Sequence, residues 1–201
     1  MIGCVIMAGG KSSRMNCIDK TLMKIKEHTL LSLTINKITP QTNNIILNSN
    51  HDPSIFKNYN IKVIKDIISN QPGPLAGILT GIEWFYKNNT NIKWVVSVPV
   101  DSPFFPNNLI NKLFEAVIKS KKLIGVSSSN GRNHPVFSIW HISLMQPLQE
   151  ALNNNIRKID LFTKSYNPTV VDFSSSVDPF FNINTPEDLK IANNLFAKGS
   201  K

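Results

Sequence analysis

The chain has 201 residues, 41% of them hydrophobic, and a formal charge of +9; that suits one folded domain with a sizeable core and excludes a disordered chain. The charge invites a nucleic-acid partner, but the lysines are dispersed. Lys119, Lys121 and Lys122 form the one dense group, and no zinc-ligand cysteine pairs or aromatic-interleaved basic stripe accompany them, so nucleic acid is not expected.

Cys4 and Cys17 have no CxxC spacing and no disulfide framework around them, which points to a reducing compartment. The apolar start lacks a basic leader and meets glycine too early for a signal peptide. No run approaches the roughly 18 apolar residues of a membrane span. A cytoplasmic protein without a membrane partner is expected.

In chain order, the apolar run 2–6 reads as a buried strand that empties into a basic glycine loop, residues 7–20. Gly9 and Gly10 let backbone N–H groups converge on one point without a Cβ in the way, and Lys11, Arg14 and Lys20 supply cations, a combination suited to a triphosphate. A Walker A loop is excluded because Val5 stands where its first glycine is needed, and no G-x-G-x-x-G occurs. An ordinary glycine turn with solvated lysines is the alternative.

Residues 21–26 alternate like a short extended segment, 29–38 has helical spacing closed by Pro40, and 44–47 is a second strand ending at Asn48. A turn and short helix open at Asp52-Pro53. A third strand, 61–64, runs into Asp66, and the glycine-punctuated helix 75–86 follows. The near-continuously apolar run 94–98 reads as a central parallel strand covered on both faces.

Further on, 109–118, 144–152 and 158–164 read as helices, and 123–126, 136–140 and 169–173 as strands. The last helix is marked by Thr185 as N-cap, Pro186 at its first position, and Glu187 and Asp188 in its first turn.

Alternating strands and helices predict an α/β fold with a Rossmann-like, doubly wound, mostly parallel sheet. Ligands in such sheets bind outside the carboxyl ends of the strands. Four strands end on Gly9-Gly10, Asn48, Asp66 and Asp101. A cationic glycine loop opposite Asp101 is what a metal–triphosphate complex requires, with Asp101 offering a hard oxygen to Mg2+. Asp101 could otherwise be a turn former in Asp-Ser-Pro, Asp66 a common loop starter, and Asn48 either a partner for base or ribose or a left-handed turn residue.

Met-Ala-Gly-Gly-x-Ser-x-Arg-Met-x-x-x-Asp-Lys at 7–20, Pro-Gly-Pro-Leu-Ala-Gly at 72–77, Pro-Val-Asp-Ser-Pro at 99–103, Gly-Arg-Asn-His-Pro at 131–135 and Asn-Ile-Asn-Thr-Pro-Glu-Asp-Leu at 182–189 together resemble the molybdenum cofactor guanylyltransferase family. The matches keep the family's order and span nearly the whole chain. The resemblance implies a single nucleotide-diphospho-sugar transferase-like domain, with a nucleotide half (about 1–105) and a pterin half (about 106–201).

The implied reaction transfers GMP from Mg-GTP to molybdenum-molybdopterin, which carrier proteins could hand over, and releases pyrophosphate. By position, Met7, Ala8, Gly9, Gly10, Lys20, Asn48, Asp66, Gly77 and Asp101 would hold nucleotide. Asp101 would also bind Mg2+, Lys20, Asp101 and Arg14 would be catalytic, and His134, Asn182 and Asn184 would face the pterin substrate. One departure is Asn16, where the family usually has glycine; asparagine is the next best residue for a left-handed position.

A phosphate monoester nucleophile is already anionic near neutral pH, its second pKa being about 6. Catalysis then needs alignment and charge screening and no general base, which agrees with the lack of an obvious Ser/His/Asp or Cys/His set. His134 is expected to orient substrate or to cap its own turn. The competing expectations are a CTP-dependent transferase acting on molybdopterin or another phosphate, and a non-enzymatic GTP-binding regulator.

Overall fold

The computed structural model describes residues 1–8, 20–68 and 73–199. Strand β1 (Ile2–Met7) sends Cys4 and Ile6 into one core layer and Val5 and Met7 into the other, the period of two that a strand covered on both faces produces. The expected extended segment 21–26 is broken up. Lys20–Leu22 forms a 3-10 turn, and β2 (Lys24–Ile25) and β3 (His28–Thr29) form a small antiparallel hairpin turned at Lys26, whose φ is 53°.

Thr29 caps α1 (Leu30–Ile38), its hydroxyl accepting from the Ser32 N–H at 3.1 Å. Then come β4 (Ile45–Asn48), a 3-10 stretch at Pro53–Tyr59, β5 (Lys62–Ile64), α2 (Pro74–Asn88), β6 (Trp94–Pro99) and α3 (Leu109–Ser120). A Cβ on Gly81 would lie 2.8 Å from the Val5 Cβ, so this glycine lets α2 lie directly on β1.

β7 (Ile124–Ser129), β8 (Arg132–His141), α4 (Met145–Asn153), α5 (Ile159–Ser165), β9 (Thr169–Asp172) and α6 (Pro186–Gly199) complete the chain. The seven-stranded sheet runs β5-β4-β1-β6-β8-β7-β9. Four of its six pairings are parallel, and only those of β8 with β6 and β7 are antiparallel. Residues of α1, α3 and α6 pack on one face and those of α2, α4 and α5 on the other, which is the expected doubly wound, mostly parallel architecture.

The expectation for β6 needs one correction: it is central and buried, but parallel to β1 on one side and antiparallel to β8 on the other. The cause is Asn130-Gly131, with φ values of 49° and 75°. Two consecutive left-handed residues make the two-residue turn whose twist matches that of antiparallel strands, so β7 folds back as a hairpin. β8 also begins earlier than the predicted 136–140.

Within this hairpin Val126 pairs with Ser138 while Ser127 pairs with His134, so residues 135–137 bulge out of the ladder. Pro135 has no N–H to give to a ladder, and its carbonyl accepts from the Ser138 hydroxyl at 2.6 Å. Bulges of this kind re-aim side chains. Among the described residues, no helix is long and apolar enough to cross a membrane.

Candidate active site

The carboxyl ends of β1, β4 and β6 open on a cleft of about 1100 Å³. Backbone bonds join these ends just past the strands: the Ala8 N–H donates to the Asn48 carbonyl at 2.9 Å, and the Val100 N–H to the Met7 carbonyl at 3.1 Å. Met7, Ala8, Lys20, Asn48, Asp66 and Asp101 all line the cleft. Gly9, Gly10 and Arg14, with the rest of the loop 9–19, lie outside the described residues.

Asp101 lies two residues past the end of β6. Its Oδ2 forms an ion pair with the Lys20 ammonium at 3.3 Å, while its Oδ1 is buried with no hydrogen-bond partner among the described residues. Burial pushes the Asp101 carboxyl above the usual carboxylate range; the Lys20 charge and, more weakly, the Asn182 amide pull it back. Lys20 also donates to Asn184 Oδ1, and the Ile183 N–H donates to the Asp101 carbonyl at 2.8 Å. The segment before α6 is thereby fixed against the end of β6.

That segment is itself held by a cap. Asp188 accepts from the Asn184 and Thr185 N–H groups at 2.9 Å each, and Thr185 Oγ1 accepts from the Asp188 N–H at 3.1 Å. Asn182 lines the cleft. Asn184, expected beside it as a pterin contact, is set back as a partner of Lys20 and is not among the cleft-lining residues.

An orphaned, buried carboxylate oxygen beside a cleft suits a hard divalent cation. No group of three or more His, Cys, Asp or Glu side chains that could hold a metal exists among the described residues.

On the far side of β1, the buried Asn48 amide donates to Asp66 Oδ1 at 2.9 Å. Asn50 holds the same residue twice: its Nδ2 donates to the carboxylate Oδ2 at 2.8 Å, and its Oδ1 accepts the Asp66 backbone N–H at 3.0 Å. Asp66 is thus more than a loop starter, and Asn48 is not a left-handed turn residue but the last residue of β4.

Gly77, expected to touch nucleotide, is buried one layer behind the cleft. A Cβ there would collide with Asn48 Oδ1 and come within 3.2 Å of Met7 Cε. Its absent side chain makes room for Asn48.

The opposite wall comes from the bulged hairpin and the segment before α6. His134 Nε2 lies 2.7 Å from Ser129 Oγ, which donates to Asp178 Oδ1 at 2.8 Å. Its ring lies 4.6 Å from that of Phe180, which lies 4.6 Å from Phe137. Burial lowers the imidazole pKa; Asp178 opposes this and Arg132 adds to it.

His134 therefore does not cap its own turn; it reaches across the hairpin. Serine, histidine and aspartate do meet here, but Ser129 is 1% exposed and its proton faces Asp178. That order makes no serine nucleophile, which would need its proton directed to histidine.

Asn50, Ser129, Arg132, Asp178 and Phe180 went unread in the sequence. The one local signal was Asn130-Gly131, which places residues 129 and 132–134 around a hairpin tip.

The model of the MobA-like NTP transferase domain matches residues 4–166. The chain belongs to this family. It is 38% identical over 199 residues to a molybdenum cofactor guanylyltransferase of Rhodopseudomonas palustris (strain BisB5), covering 98% of this chain and 95% of that one. A Yersinia pestis (strain Pestoides F) protein of the same name is 37% identical over 184 residues, covering 92% and 91%.

Among solved structures, molybdopterin-guanine dinucleotide biosynthesis protein A of Archaeoglobus fulgidus superposes with a TM-score of 0.78 at 22% identity, covering 98% of this chain and all of the other. A CMP:2-keto-3-deoxy-manno-octonic acid synthetase complexed with CTP superposes at 0.75 and 11% identity, covering 98% and 99%. These two establish the fold alone. The MobA-like chain is an enzyme, a nucleotidyltransferase.

Proposed function

We propose that this nucleotidyltransferase moves GMP from GTP to molybdenum-molybdopterin, giving the guanine dinucleotide form of the cofactor and pyrophosphate. The observation that carries the reading is Asp101, paired with Lys20 through one oxygen and left with a buried second oxygen that has no partner among the described residues, at the end of a central strand. Relatives covering nearly the whole chain under the guanylyltransferase name supply the base and the acceptor. Mg2+ at Asp101, when bound, would neutralise charge on the phosphates and polarise the attacked phosphorus.

The acceptor's phosphate oxygen attacks the α-phosphorus of GTP in line; the new P–O bond forms as the bond to the β-phosphate oxygen breaks, and pyrophosphate leaves with that electron pair. The attacking phosphate needs no base to remove a proton. Lys20 opposes the charge that grows on the phosphates, and Asp101 and Asn184 hold its ammonium in place. Arg14, with Gly9 and Gly10, would act from the loop on the same phosphates.

Asn48 and Asp66 face the base and ribose, with Asn50 fixing the carboxylate. His134 and Asn182 face the acceptor, so the first half of the chain, to about residue 105, takes nucleotide and the second takes pterin. A carrier protein in the cytoplasm would deliver the molybdenum-molybdopterin.

Incubation with Mg-GTP and molybdenum-molybdopterin, followed by mass detection of a guanine dinucleotide, tests the reaction. Thermal shifts with GTP, CTP and ATP plus Mg2+ test the base, because a ligand that binds only the folded state raises the melting temperature. Preferential stabilisation by CTP would overturn the guanylyl assignment, and GTP binding without pyrophosphate release would make the protein a regulator.

A further inference from the structure

We propose that Ser129 and Asp178 are positioning residues that fix His134 as the Nε2–H tautomer, so that its Nδ1 presents a hydrogen-bond acceptor to an N–H group of a flat heterocyclic substrate. This rests on His134 facing the acceptor of the proposed transfer.

The assignment follows from the direction of two bonds. Asp178 Oδ1 already takes the Phe180 N–H at 3.0 Å and is an acceptor, so the Ser129 proton points toward it at 2.8 Å. A hydroxyl has one proton. With that proton committed, Ser129 Oγ can only accept at its 2.7 Å contact with His134, and the proton there belongs to Nε2.

The neutral ring then has its lone pair at Nδ1, to which no described residue is hydrogen-bonded. Its neutral state agrees with its partial burial and with the Arg132 guanidinium nearby, which together outweigh the attraction of Asp178. A tilted ring contact with Phe180, 4.6 Å between centroids and 38° between planes, helps hold the ring. A flat heterocycle laid on this wall would meet an acceptor at a set height and angle, and a proton on Nδ1 would turn that contact into donor against donor.

The relay is assembled from separated parts of the chain. Ser129 ends β7, His134 is set by the bulge in β8, and Asp178 lies 49 residues beyond Ser129. Asp178 also fixes Phe180 through the backbone bond, so one carboxylate governs both the tautomer and the neighbouring ring.

The ¹⁵N NMR spectrum of the neutral imidazole, assigned by the loss of signals in H134Q, reads the tautomer without any turnover. The wild type should show Nε2–H. Asp178→Ala frees the Ser129 hydroxyl to donate, and the signal should move toward Nδ1–H. In steady state, Ser129→Ala and Asp178→Ala should raise the KM for molybdenum-molybdopterin about tenfold, the effect of one misdirected hydrogen bond. The GTP KM and kcat should stay within about twofold, and S129T should restore both tautomer and KM.

An Nδ1–H signal in the wild type, or equal changes in both KM values, would overturn the relay. If the wild type forms no dinucleotide, the transfer reading fails while the tautomer signal still decides the relay.

Discussion

The two walls of the cleft are built by different means. The proposed nucleotide side consists of residues at the mouths of parallel strands: Asn48 closes β4, and Asp66 and Asp101 lie two residues past β5 and β6. The proposed acceptor side comes from an antiparallel hairpin with a bulge, completed by Asp178 and Phe180 from the segment between β9 and α6. A strand end gives a fixed carboxylate or amide for little sequence; an aromatic wall needs two distant segments to meet.

Asp101→Asn is the severest test of the nucleotide side. Turnover with Mg-GTP should fall by roughly 10²–10³-fold, the range for losing a preorganised charge stabiliser, and wild-type activity would refute the role given to Asp101. The folded protein should not be weakened. The folded-state pKa lies above the ordinary 3.8, so the fold prefers the neutral carboxyl, and ionisation costs stability above the raised pKa. The variant should accordingly melt no lower than the wild type at pH 7, with any advantage fading as the pH falls toward 3.8.

Lys20→Ala should lower turnover by about 10²-fold with the fold retained. Little change would mean that the lysine serves only to neutralise Asp101.

Gly77→Ala sharpens the comparison at the level of packing. Its Cβ would meet Asn48 Oδ1, with an expected loss of about 1–3 kcal/mol on denaturant unfolding and weaker GTP binding from displacement of Asn48. Gly131→Ala has open space around its Cβ but a φ of 75°, and should cost about 1–2 kcal/mol from backbone strain alone. Its functional effect should fall on the acceptor KM and spare the GTP KM; the reverse would break the division between the two walls.

Much of the nucleotide side was legible because its signals are local. An apolar run of four to six residues stopped by a polar one fixes both the strand and the residue at its mouth, as at Asn48 and Asp101. Gly77 was legible as part of a motif but not in its role, because contact with Asn48 depends on how α2 docks. Asn50 was passed over because nothing in sequence distinguishes it from the other asparagines of this chain.

The hairpin side shows in the sequence only as the motif Gly-Arg-Asn-His-Pro at 131–135 and as the turn signal Asn130-Gly131. The bulge, the His134 partnership and the Asp178 link depend on strand register, which a one-dimensional pattern does not encode.

By itself the sequence determined the alternation of strands and helices, the face each apolar residue takes, and the cap of α6, because periodicity and capping act within a few residues. It also carried, in its ordered motifs, the resemblance to guanylyltransferases. Tertiary structure decided that β8 runs against its neighbours, that Lys20 reaches Asp101 and Asn184 across 81 and 164 residues, and that Asp101 keeps one oxygen buried and without a partner among the described residues. Those outcomes turn on desolvation and on meetings between distant segments, which exist only once the core has closed.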